Sequence, residues 1–294
     1  MKIMREIIRI IFKIKLKLLP NYDLSTVPIF GKFVRWLLFY LRSGYINVGE
    51  HKMYQDPNQP LGPINSDLII NGFWEQSETN YFIKFIQEND IVLDIGANLG
   101  YFSLLFAKQV GNKGKVYAFE PEPNLFLLLK KNVEVNQYQN ITLINKAVSH
   151  QNTSLKLYIS EDNIGDHRIY DAEDGRQYIE IDSLKLDDYF ADFEPEIRLI
   201  KMDIQGAEYE ALQGMINLIN KNKKVEIVTE FSPYHLKFAG VEPIIYLELI
   251  EKLGFTIYIL QENGIEKANI QSLLQTYPSD IEVGTNLLCR KEEI

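Results

Sequence analysis

Residues Ile91–Glu120 read "IVLDIGANLGYFSLLFAKQVGNKGKVYAFE". An apolar run comes first, then a turn with two glycines, a stretch with helical spacing, a second glycine-bearing turn, and another apolar run closing on an acid. The pattern is strand, turn, helix, turn, strand, the unit from which parallel sheets are built. In open sheets of this kind ligands collect at the carboxyl ends of strands, where the direction of connection reverses. The turn Asp94-Ile95-Gly96-Ala97-Asn98-Leu99-Gly100 lies at such an end, so a nucleotide is expected over it.

The residues around the glycines narrow the choice. A dinucleotide fingerprint needs Gly-x-Gly-x-x-Gly, but here its third place is Asn98 and its sixth is Tyr101. The Gly-Lys-Ser/Thr of a phosphate loop is missing as well. Asp94 is a poor neighbour for a phosphate dianion and a good one for an ammonium or sulfonium. Glu120, ending the second strand, is placed to accept hydrogen bonds from both hydroxyls of a ribose. An acidic turn followed by a ribose-binding acid fits S-adenosylmethionine better than NAD.

Outward from this unit the alternation continues. Strands are expected at Ile91–Ile95, Lys115–Glu120, Ile141–Val148, Ile197–Asp203, Val225–Glu230 and Phe255–Leu260. Helices are expected between them at Tyr101–Val110, Pro123–Asn136, Gly206–Ile219 and Glu242–Leu253. Such repetition implies a mostly parallel sheet covered on both faces. The terminal "GTNLLCRK" reads as a strand antiparallel to "FTIYIL". Upstream, "SDLIING" suggests a short strand and "QSETNYFIKFIQEN" a helix. An insert at about residues 149–192 carries two alternating stretches, "SLKLYIS" and "QYIEID", around a polar loop.

The chain has 294 residues and a formal net charge of −9, unevenly spread. Residues 1–42 hold nine Lys or Arg against Glu6 and Asp23, a balance of +7, which leaves −16 for the rest. An acidic body argues against a nucleic-acid binder, which needs Lys and Arg over a broad face. In "MKIMREIIRIIFKIKLKLLP" the basic residues recur on one helical face and Ile, Met and Phe on the other, and Pro20 closes the run. No apolar run approaches the ~20 residues of a spanning helix. Residues 1–46 are therefore expected to form a basic amphipathic helical extension, and residues 47–294 the main domain. Two readings of the extension stand: packing on the domain or in a homo-oligomer, or peripheral contact with an anionic membrane. The single Cys289 permits no internal disulfide, in keeping with a cytoplasmic protein, at the cytoplasmic face of a membrane on the second reading. The four histidines, at 51, 150, 167 and 235, lack metal-ligand spacing, so no metal is expected. Acids at 203, 208 and 230 leave a Mg²⁺ site as a minority reading.

"VLDIGANLGYFS", "AFEPEP", "IKMDIQGAEYEALQG" and "IVTEFSP", in this order and preceded by "GFWEQSET", resemble the FkbM family of S-adenosylmethionine-dependent methyltransferases. The resemblance spans roughly residues 50 to 290. It implies a class I methyltransferase fold, a doubly wound seven-stranded α/β sheet with a reversed last strand. It also implies transfer of a methyl group to a hydroxyl, most often of a sugar, glycan or other small molecule. By this resemblance Gly96, Asn98 and Gly100 lie against the methionine part, Asp94 faces its ammonium, Glu120 holds the ribose, and Ala147 approaches the adenine. Glu75, Ala97, Pro121 and Asp203 complete the cofactor set. One departure is Gln205, where the family usually has Glu. It leaves room for a cofactor- or partner-binding protein without turnover; an N- or nucleic-acid methyltransferase is a further alternative.

An alcohol is a weak nucleophile unless a base takes its proton during attack. The base is expected at the carboxyl edge of the fourth or fifth strand, where Asp203, Glu208, Glu230 and His235 are the candidates. Asp203 and Glu208 could instead cap or favour the helix that follows. Lys201 is expected to pair with these acids. His167, in the insert, and Trp74, beside Glu75, are candidates for the acceptor side of the cleft.

Overall fold

The computed structural model describes residues 44–56, 62–193, 195–261 and 264–292. The amphipathic segment expected at the amino terminus lies outside them. A hairpin, β1 (Tyr45–Val48) and β2 (His51–Tyr54), precedes helix α1 (Pro63–Ile70). The strand expected at "SDLIING" is instead part of α1. Pro63 sits in the first helical turn, where its missing N–H costs nothing. Neighbouring Leu68 and Ile69 are both buried, which the alternation of a one-faced strand would not allow. Helix α2 (Gln76–Phe85) follows as expected.

The central units are β3 (Ile91–Ile95), α3 (Tyr101–Val110), β4 (Lys115–Phe119), α4 (Pro123–Val135) and β5 (Ile141–Ile144). The third expected strand is split. After β5 the Asn145 side chain donates to the Glu120 and Pro121 carbonyls, and the chain leaves the main sheet as β6 (Ala147–Val148). β7 (Ser154–Tyr158) and β8 (Tyr178–Leu184) of the insert join β6 in a separate sheet of order β6-β8-β7. A short helix, α5 (Leu186–Tyr189), leads to β9 (Ile197–Met202). The single helix expected at Gly206–Ile219 is two, α6 (Glu208–Gln213) and α7 (Ile216–Lys221). They break at Gly214, where an added Cβ would lie 2.1 Å from the Ser149 carbonyl oxygen. Then come β10 (Glu226–Phe231), α8 (Pro233–Phe238), α9 (Pro243–Lys252), β11 (Thr256–Gln261), β12 (Gly264–Lys267), α10 (Ile270–Thr276) and β13 (Thr285–Arg290).

The main sheet has the order β12-β11-β13-β10-β9-β3-β4-β5. Strands β5, β4, β3, β9 and β10 run parallel, and β13 is inserted antiparallel between β10 and β11. That is the seven-stranded arrangement with a reversed last strand; β12 adds an eighth at the edge. Both faces are dry. Leu93, Ile200, Ile227 and Leu287 pack on one side, and Val92, Leu199, Val228 and Leu288 pack under α2 and α3 on the other. The chain turns outward from β3 to β4 and β5, then returns to β9 on the opposite flank. The carboxyl ends of β3 and β9 therefore border a topological switch point, where a ligand crevice is expected.

Candidate active site

Strand β3 ends by placing Gly96 at φ +82° and Asn98 at φ +51°, left-handed positions that glycine and asparagine tolerate best. The Gly96 and Ala97 N–H groups donate to the Phe119 carbonyl at 3.0 and 2.9 Å, holding the turn against the end of β4. Gly96 has no room for a side chain: an added Cβ would lie 2.1 Å from the Asp203 carbonyl oxygen. Gly100, expected against the ligand, has little room for a side chain either, since a Cβ there would meet Leu129 of α4 at 2.5 Å.

Two adjoining cavities open over this turn and share Gly96, Asn98, Asp203 and Gln205 as lining. The smaller, about 70 Å³, is walled by Glu120, Pro121 and Ala147, and covered by Ile164, His167 and Ile169 of the insert. The larger, about 320 Å³, is walled by Trp74, Glu75, Lys201, Glu230, His235 and Asn286, a size usual for small-ligand sites. The Asn98 side chain joins insert to turn, donating to the Ile164 carbonyl at 2.8 Å.

Glu120 is buried. Its Oε2 accepts from the Asn98 N–H at 2.8 Å and its Oε1 from the Glu122 N–H at 2.9 Å. A carboxylate offers about four acceptor positions, so it can still take two hydroxyls. Burial pushes its pKa up to about 7, against those two backbone hydrogen bonds.

The larger cavity is built around one cation. Lys201 lies on the β9 face covered by α2 and α3, with its ammonium 3.3 Å from Asp203 Oδ2 and above the Phe102 ring. Burial alone would lower it, but Asp203, Asp94, Glu75 and Glu78 outweigh that and hold it above the ordinary lysine range. Asp94, opposite Lys201 in register, is buried and accepts from Ser103 at 2.5 Å. It lies beneath the cavities rather than in their lining, so it acts on a ligand through its charge.

The base candidates separate clearly. Glu208 spends both oxygens on the backbone, accepting from Ile204 at 3.0 Å and Gly206 at 2.8 Å. It lines neither cavity and is the capping acid of this turn, with burial pushing its pKa up to about 7. Asp203, free of that task, lines both cavities. Gln205 reaches across with its amide nitrogen, donating to Asp203 Oδ1 at 3.1 Å and Glu230 Oε2 at 2.8 Å. The family's Glu at this place could not donate to both. Burial drives the Glu230 carboxyl well above the usual range, and Asp203, Glu208 and Glu75 add to the shift. His235 is buried, its Nε2 3.1 Å from Glu282 and its Nδ1 without a partner; burial lowers its pKa.

Three contributors escaped the sequence reading. Glu78 is buried beside Glu75, and burial followed by Glu75 raises its carboxyl strongly; its spacing of three along a helix was the available signal. Asn286 lies opposite Glu230 on β13 and donates to Glu75 at 3.5 Å; a polar residue inside "TNLLCR" was the hint. Glu282, from the chain before β13, had none.

The donor set fits a cationic nucleoside ligand. The Glu75 Oε2 atom is buried without a hydrogen-bond partner in the cavity wall, an acceptor open to an ammonium. Glu120 and Ala147, the residues expected at ribose and adenine, line the same smaller cavity. Among the described residues one group has metal-ligating geometry, Asp166, His235 and Glu282. Arg168 already supplies a cation there, binding Asp166 through two nitrogens and approaching Glu282 at 3.5 Å.

The sequence matches the methyltransferase FkbM domain over residues 94–257. Methyltransferase sdnD of Sordaria araneosa is 25% identical over 208 residues, 60% of this chain and 78% of that protein. Hexuronic acid methyltransferase AglP of Haloferax volcanii is 24% identical over 196 residues, 65% of this chain and 74% of that protein. The crystal structure of Methyltransferase FkbM from Methylobacillus flagellatus KT aligns with a TM-score of 0.41 at 15% identity, covering 92% of this chain and 62% of that one.

Proposed function

We propose, for a chain that belongs to the methyltransferase FkbM family and is S-adenosylmethionine-dependent, that its methyl acceptor is a hydroxyl of a sugar or glycan. The cofactor supplies a methyl group on a sulfonium, open to in-line attack. The protein's part is to place the acceptor oxygen behind that methyl and to take its proton. We assign the ribose to Glu120, the adenine end to Pro121 and Ala147, and the methionine end to Gly96, Ala97, Asn98 and Glu75. Glu230 is the assigned base, with Asp203 held beside it by Lys201 and Gln205. The observation that carries an oxygen acceptor is Glu230 itself: a cavity-lining carboxyl, raised by burial above the ordinary carboxylate range and held beside Asp203 through the Gln205 amide. Trp74 lines the larger cavity together with polar groups that suit hydroxyls. The name of the Haloferax volcanii relative, a hexuronic acid methyltransferase, supports a sugar as the acceptor but not its charge or the methylated group. Incubation of the full chain with methyl-labelled cofactor and a panel of monosaccharides and glycans tests it. Base-stable label on a sugar is the expected result, and tight cofactor binding without any transfer would sink the reading.

The ribose assignment makes a prediction of its own. Glu120 titrates at about 7, and hydroxyls bind its ionised form better than its protonated form. Cofactor affinity should therefore rise with pH through about 7 and level off above it, with proton release in calorimetry below that point. Glu120→Ala should weaken binding by about ten- to a hundred-fold, the worth of one or two charge-assisted hydrogen bonds. An unchanged affinity, or a flat pH dependence, would remove Glu120 from the ribose.

A further inference from the structure

We propose that the acceptor is a neutral or amino-bearing sugar, and that the charge of the larger cavity rejects acceptors carrying a carboxylate or phosphate. The inference rests on the glycan reading above and specifies its substrate class.

Four acids, Glu75, Asp203, Glu230 and Glu282, stand in the lining of the larger cavity. Lys201 is the one Lys or Arg among the described residues that line it, and its ammonium is committed to Asp203 at 3.3 Å, with Asp94, Glu75 and Glu78 close behind. The guanidiniums of the insert offer an anion nothing. Arg168 is bound by Asp166 at 2.6 and 3.0 Å and faces Asp174 at 3.8 Å and Glu282 at 3.5 Å. Arg176 is bound by Asp166 at 2.6 Å and Asp174 at 2.8 Å. Lys146 belongs to the smaller cavity, and its partner is Asp182 at 3.4 Å.

With the cofactor bound, Glu75 is matched to its sulfonium and ammonium side, which leaves Asp203, Glu230 and Glu282 toward the acceptor. An anionic acceptor would enter past Glu282, whose side chain is 58% exposed at the rim, and come to rest in a lining whose one lysine is already committed to Asp203. Like charges brought together in a half-dry site are strongly selected against, a repulsive element that sets specificity as firmly as attraction does. Hydroxyls can donate to the lining carboxyls and accept from Ser232 and Asn163, and an acceptor's ammonium would find Glu282. His235, buried with Nδ1 unpartnered and burial keeping the ring neutral, adds a polar group without adding positive charge.

The test is a comparison of matched methyl glycosides in gluco, galacto and manno configuration, each as the neutral sugar, the 2-amino sugar and the uronic acid. The full-length protein is assayed with labelled cofactor, and kcat/KM is read for each. Within any series that is methylated, the neutral or amino member should exceed the uronic acid by about a hundred-fold or more. Glu282→Gln should narrow that ratio several-fold, and added salt should narrow it further. A uronic acid methylated as well as its neutral partner overturns the inference while upholding the glycan reading. If none is methylated, saturation-transfer NMR with S-adenosylhomocysteine present ranks their binding. Preferential binding of the neutral or amino sugars supports the inference, and preference for the uronic acids overturns it. Binding of no sugar at all overturns the glycan reading and the inference together.

Discussion

Glu230→Gln is expected to lower kcat by about 10²–10⁴-fold, the usual contribution of a general base, while cofactor affinity changes only a few-fold. The substitution keeps shape and leaves an oxygen to accept from Gln205, so the loss reports proton transfer rather than packing. The pH profile gives a second readout. Burial, then Asp203, Glu208 and Glu75, raise the Glu230 carboxyl, so the base is ionised only above the ordinary carboxylate range. Wild-type turnover should therefore fall as pH drops through that raised value, and the variant should lose this acid limb. A kcat unchanged by Glu230→Gln, together with a large loss in His235→Ala, would move the base to the histidine.

Lys201→Met is expected to destabilise the fold by about 3–5 kcal/mol, because it leaves buried carboxylates without their counter-charge. Lys201 is 4% exposed and Asp94 0%, so water cannot take over. The midpoint of thermal unfolding should fall by roughly 10 °C. The sign of the pH dependence is fixed. Without Lys201 the folded-state pKa values of Asp94, Glu75 and Glu78 rise further above their unfolded values. Their protonated forms then favour folding at low pH, and that support is lost as pH rises through the folded values. The deficit against wild type should accordingly be small near pH 5 and widen toward pH 8. Urea melts at both values decide the matter, and a deficit independent of pH would show that Lys201 acts through packing alone.

Sequence patterning made β3, α3 and β4 legible almost to the residue, because a buried parallel strand, an amphipathic helix and a glycine turn each have a local signature. It was weaker where local and tertiary demands differ. The Ile141–Val148 run is apolar throughout, yet it divides between two sheets because Asn145 ties its middle to the end of β4. The helix after β9 breaks at Gly214 because the Ser149 backbone approaches it, a contact between segments some sixty-five residues apart. Helix α1 was misread because Leu68, Ile69 and their apolar neighbours are too short a run to declare a period.

The sequence by itself determined the turn to which the cofactor is assigned. Gly96, Asn98 and Glu120 are set by one strand–turn–helix–turn–strand unit, whose geometry is local, and the acid in place of a phosphate loop is plain from the residues alone. The rest of the site was decided only by the tertiary structure. Five chain segments, carrying Glu75 and Glu78, Asp94, Lys201 and Asp203, Glu230 and His235, and Glu282, meet at one edge of the sheet. Which acid becomes a base depends on what reaches each one. Glu208 is taken by the backbone of its own turn, Asp203 by a lysine, and Gln205 ties Asp203 to Glu230. Burial and pairing are properties of that meeting, so a list of acids could name the candidates but could not rank them.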